Sequence, residues 1–112
     1  MKSLGFFEVQ SVAAGVDALD IMCKTADVEF VTWERKMGGR LVTIIVSGTV
    51  SAVSEAIEAA RAACIKKPAA TAVIANPHEE TLRIVALSAS RMNKGKGTEV
   101  QQTETLINRV IF

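Results

Sequence analysis

The stretch V-E-F-V-T-W-E-R-K-M-G-G-R-L-V-T-I-I-V-S-G, Val28–Gly48, decides the fold. Val28–Glu34 and Leu41–Ser47 are rich in β-branched and aromatic side chains, which suit strands. Between them Arg35–Arg40 holds two adjacent glycines, Gly38 and Gly39, which let the backbone bend freely. A strand, a glycine-bearing turn and a second strand predict a β-hairpin. The turn holds Arg35, Lys36 and Arg40, but no catalytic group, metal-ligand pair or phosphate-loop pattern. A phosphate cradle needs a strand-to-helix junction, and here a strand follows.

Before the hairpin, Leu4–Gln10 reads as a first strand, and Ser11 can cap a helix after it. In that helix Val12, Val16, Leu19, Cys23 and Ala26 recur at helical spacing, opposite Asp17, Asp20 and Lys24. After the hairpin Thr49 can cap a second helix. Its apolar stripe is Val50, Val53, Ile57, Ala60 and Cys64, and Lys66-Lys67-Pro68 ends it. Ala70–Ala75 reads as a fourth strand, and His78–Leu87 as a helical turn or two.

The order β-α-β-β-α-β predicts an α+β, ferredoxin-like domain with one antiparallel sheet and both helices on one face. Phe30, Val31, Trp33, Ile44, Ile45 and Val46 make the middle strands apolar on both faces. The second face therefore needs a cover, from other subunits or from a terminal segment. Residues 1–87 are expected to be the domain. Residues 88–99 have a linker's composition, and the chain turns apolar again at Leu106, Ile107, Val110, Ile111 and Phe112.

With 112 residues the chain has length for one domain, and aromatics at 4% leave the core to Val, Ile, Leu and Ala. A net charge of +1 gives no reason to expect nucleic acid as a partner. No run is long and apolar enough for a membrane span, and no signal peptide is evident. Cys23 and Cys64 lack C-x-x-C spacing and are expected as reduced, buried small hydrophobes in a cytoplasmic protein.

The segments L-G-F-F-E-V, A-L-D-I-M-C-K-T-A-D-V, the hairpin and A-N-P-H-E-E together resemble the single-domain shell proteins of bacterial microcompartments, the BMC-domain family. The likeness runs from about Leu4 to about Glu80. It implies a non-enzymatic building block without cofactor or metal. Such proteins form cyclic hexamers that tile into sheets around enclosed enzymes, with a central pore for small metabolites. Implied partners are further copies of the chain, other shell proteins and the enclosed enzymes. Implied pore-loop residues are Arg35, Lys36, Met37, Gly38, Gly39 and Arg40. Lys24 matches the lysine of hexamer–hexamer edges, and His78 the histidine of the usual P-R-P-H segment. Asn76 stands where that segment has arginine and Ala75 where it has its first proline.

Each residue also has a plainer reading. The three cations suit a solvated hairpin tip, Lys24 a solvated helix face, and His78 a structural role. Glu55 and Glu58, one helical turn apart, suit a solvated face rather than a catalytic dyad. The competing function is a ferredoxin-like regulatory module that binds a small ligand. A third reading, a small enzyme, lacks a nucleophile–base pair.

Overall fold

The computed structural model of the chain describes residues 3–36, 38 and 40–94. The elements run β1 (Ser3–Val9), α1 (Val12–Thr25), β2 (Glu29–Lys36), β3 (Leu41–Gly48), α2 (Val50–Ala63), β4 (Ala70–Ile74) and α3 (Glu79–Lys94). The strands form one sheet in the order β2-β3-β1-β4, with every neighbouring pair antiparallel. This is the split β-α-β arrangement expected from the sequence. β2 and β4 are its two edges.

Both expected caps are in place. The Ser11 hydroxyl accepts from the Ala14 N–H at 3.2 Å, and the Thr49 hydroxyl from the Ala52 N–H at 3.1 Å. Each bond satisfies one of the donors left free at a helix start. The two helices lie on one face of the sheet. Phe7, Val9, Val42, Ile44 and Val46 meet Ala14, Ala18, Met22, Val53 and Ile57 in a closed core.

The buried side of α1 is not the predicted stripe. Val16 is 52% exposed and Cys23 is exposed, while Ala14, Gly15, Ala18 and Met22 are buried. The cause is the closeness of the helix to β3. A Cβ on Gly15 would stand 3.0 Å from Val42 Cγ1, so small residues must face the sheet and large ones rotate outward. Val50, placed in the α2 stripe, is likewise 48% exposed. Cys64 is half-buried, with its thiol 3.4 Å from the Ala14 carbonyl. Partial burial first, and the nearby Asp20 carboxylate second, push the Cys23 thiol above its ordinary value.

The second face of the sheet is covered by α3, a helix of 16 residues. Leu82, Val85 and Ala89 close a second core against Leu4, Val31 and Ile45. The chain from Ser88 to Lys94, expected as the start of a linker, is thus helical, and Ser88 and Ala89 are buried. The apolar segment at Leu106–Phe112 lies outside the described residues.

A bulge in β2 lets one strand serve both cores. Phe30 pairs with Val46 and Thr32 with Ile45, so Val31 is extra. Phe30 and Trp33 then pack toward α1, and Val31 joins the core beneath α3. The Thr32 hydroxyl lies 3.4 Å from that of Ser88, which in turn donates to the Glu34 carboxylate.

Candidate functional site

The hairpin closes at the Lys36–Leu41 pair. Gly38, at φ +65°, takes the left-handed conformation that a side chain would resist, and among the described residues nothing lies within 4 Å of where its Cβ would stand. Met37 and Gly39 lie outside the described residues. Arg35, Lys36 and Arg40 are exposed, and among the described residues none is paired with a carboxylate. The Arg35 guanidinium stands 5.3 Å from the centre of the Trp33 ring, a cation–π contact that steadies its root. The Arg40 carbonyl accepts from the Ser11 N–H at 3.3 Å, which ties the loop to the start of α1.

Lys66 and Lys67 share that end of the molecule. They follow Ile65, whose N–H donates to Asp17 at 3.0 Å, and precede Ala69, whose N–H donates to the Glu8 carbonyl at 2.7 Å. Both are exposed.

Lys24, Asn76 and His78 occupy the other end. Ser3 pairs with Gly48 and Leu4 with Ile74, so β3 and β4 both finish beside the start of β1. α1 starts at the hairpin end and runs back along the sheet, which brings Lys24 in its last turn to the same end. The eight residues of β3 separate the two ends by about 25 Å. No hydrogen bond or ion pair joins Lys24, Asn76 and His78 to one another among the described residues.

Lys24 forms an exposed ion pair with Asp20 at 2.8 Å. That hydrogen bond first, and the carboxylate's charge second, hold the ammonium above its ordinary pKa. An ammonium has three donors, so the pair leaves others free for a neighbour.

His78 is the cap of α3. Its Nδ1 accepts from the Glu80 N–H at 3.0 Å, and its carbonyl accepts from the Leu82 N–H at 3.1 Å. Glu79 and Glu80 in the first turn suit the positive end of the helix. Asn76, at φ 52°, and the buried Pro77 make the turn that delivers this cap. The cap was readable only once a helix was assigned here, since Leu82, Val85, Ala86 and Ala89 have its spacing.

Sequence reading missed a cleft beside β2. It measures about 680 Å³. Val16, Leu19, Phe30 and Trp33 form its apolar wall, and Glu34, Ser88 and Arg91 its polar wall. It arises from the outward turn of Val16 and from the bulge, neither of which hydropathy alone predicts. No group of three or more His, Cys, Asp or Glu among the described residues could hold a metal ion.

Residues 3–77 match the BMC domain. The chain belongs to the BMC-domain family. Among relatives of this BMC domain, the bacterial microcompartment shell protein PduA of Salmonella typhimurium is 37% identical over 92 residues, 80% of this chain and 97% of that one. The carboxysome shell protein CsoS1C of Hydrogenovibrio crunogenus is 35% identical over 91 residues, covering 79% and 88% of the two chains. A microcompartment protein from Desulfitobacterium hafniense DCB superposes with a TM-score of 0.68 at 25% identity. That alignment takes in 79% of this BMC-domain chain and 48% of that chain, so this chain spans about half of it. Among the described residues no helix is long and apolar enough to cross a membrane.

Proposed function

We propose that this chain is a structural component of a bacterial microcompartment shell. Its copies close into a cyclic homohexamer, and hexamers tile edge to edge, alone or with other shell proteins. The relatives are shell proteins of microcompartments and carboxysomes, which supports a building role rather than catalysis.

The observation that carries the finer reading is the polarity of the sheet. The cationic hairpin tip and the Lys24, Asn76 and His78 group lie at opposite ends of it. A ring needs one end of each subunit at its axis and the other at its rim. With the hairpin at the axis, every copy adds Arg35, Lys36 and Arg40 to one mouth, with Lys66 and Lys67 farther out. Clustered like charge focuses the field and draws small anions toward the opening. At the rim, Lys24 offers donors to backbone carbonyls of the next hexamer, and Asn76-Pro77-His78 offers a fixed turn beside it.

Light scattering tests the ring directly. The expected mass is six times the 12.0 kDa chain, and electron microscopy of concentrated protein should reveal flat hexagonal arrays. A monomer or dimer mass at micromolar concentration overturns the hexamer. A projection map with the hairpin at the outer rim overturns the pore.

A further inference from the structure

α3 is apolar on two sides. Leu82, Val85 and Ala89 face the sheet and close the second core. On the opposite side Ile84 and Leu87 are 67% and 51% exposed. Exposed apolar residues taken singly carry little meaning, but these two belong to a patterned stripe. At about 100° per residue, Glu80, Ile84, Leu87 and Arg91 fall within an arc of about 60°, all exposed and turned away from the sheet.

The spacing of the stripe is the same from either end. Four residues separate Glu80 from Ile84, three separate Ile84 from Leu87, and four separate Leu87 from Arg91. Both ends are charged, and the charges are opposite. Turned around and laid against itself, such a stripe sets Ile84 of one copy on Leu87 of the other and Glu80 on Arg91, each pair twice. We propose that the outer face of α3 is a self-complementary interface, which pairs antiparallel with α3 of a second copy of this chain about a twofold axis.

The charges fix the direction of the pairing. A parallel arrangement would set Glu80 on Glu80 and Arg91 on Arg91, and like charges repel. The helical rise puts Glu80 and Arg91 about 16 Å apart, so both charge pairs flank the apolar centre as rim charges do. Among the described residues Arg91 pairs with no carboxylate. Glu80 meets Arg83 of its own helix at 3.1 Å, in a pair exposed at both ends. Such pairs are weak, and a carboxylate can accept from a second guanidinium.

The stripe is short. A stable complex buries about 800 Å² on each side, more than four side chains supply, so the contact is weak and depends on concentration. The pairing does not rest on the ring reading. It doubles whatever the chain otherwise forms: a ring meets a second ring, or a lone chain a second chain.

Sedimentation velocity of the full chain, from about 1 µM to about 1 mM, tests the pairing. The parent mass should double as concentration rises. Ile84→Gln/Leu87→Gln puts good helix formers at the two exposed positions and should abolish the doubling. Glu80→Arg and Arg91→Glu each set like charges at both ends, and each should weaken the doubling about tenfold or more. Mixed in equal amounts, those two single variants regain both attractive pairs and should double as the parent does. Circular dichroism checks that each variant is folded.

A mass constant across the whole range overturns the pairing, whether that mass is one chain or a ring. Doubling that survives Ile84→Gln/Leu87→Gln also overturns it and puts the contact elsewhere. Doubling lost in both charge variants and not regained in their mixture rejects the antiparallel twofold. A parent that passes from one chain to two, with no ring at any concentration, sinks the ring reading and leaves the pairing standing.

Discussion

A methyl group added at Gly5 would stand 2.6 Å from Val53 Cγ1, 3.2 Å from Val46 Cγ2 and 3.3 Å from Ile57 Cδ1. These atoms belong to buried side chains, so the absence of a Cβ at Gly5 lets α2 sit low on the sheet. Gly5→Ala should therefore overpack the core and lower stability by about 1–3 kcal/mol. Urea unfolding would measure it, and adding Val53→Ala should recover part of the loss because the clash is local. An unchanged urea midpoint would mean that α2 shifts freely. Nothing near Gly5 in the sequence explains it: a glycine in a strand is legible as unusual, but its reason lies on a helix far along the chain. Ser11 and Thr49 were legible because a cap acts within three residues of itself. Glu34, Thr32 and Ser88 were not, because their contact joins a strand to a helix more than fifty residues later.

At the level of elements, β1, β2, β3, β4 and α2 follow from propensity and spacing alone. α1 follows in extent but not in rotation, since hydropathy favours Val16 and Cys23 while close packing favours Ala14, Gly15 and Ala18. α3 was legible only in its first half. Ser88, Ser90, Asn93 and Lys94 have the composition of a loop, and tertiary packing of the other side of the helix overrides it. The exposed face of α3 still carries Ile84 at 67% and Leu87 at 51% exposure. Among the described residues, Leu82, Val85 and Ala89 in the second core, Ser88 on β2 and the His78 cap hold α3. Leu82→Ala should cost about 2–5 kcal/mol. It should also loosen α3 before the first core, so helical signal should fall ahead of Trp33 burial in a denaturant titration. Coincident loss of both signals would show that the two cores unfold as one.

For the whole molecule, the decisive property is that its two ends differ. One end gathers Arg35, Lys36, Arg40, Lys66 and Lys67; the other carries Asp20, Lys24, Asn76, His78, Glu79 and Glu80. The residue types were legible from the sequence. Their separation was not, because it depends on the strand register and on the return direction of α1. If the rim reading is right, Lys24→Ala should leave folding and ring mass unchanged and abolish extended arrays under the microscope. Alanine removes the ammonium without setting a new carboxylate beside Asp20 at a helix C-terminus, where like charges and the helix dipole would confuse the result. Arrays of unaltered size and order would move the contact elsewhere on the rim.

The bulge at Val31 makes the hairpin a ruler. Sliding β2 by one residue against β3 would send Trp33 into the wrong core and Thr32 away from Ser88, so intermediate settings are penalised from both faces at once. The register that carries the hairpin out to the Lys36–Leu41 pair is therefore set by the two cores, not by the side chains beyond it. Geometry and chemistry are decoupled there. Other groups can replace the cations at Arg35, Lys36 and Arg40 over evolutionary time while the register that carries the hairpin is kept.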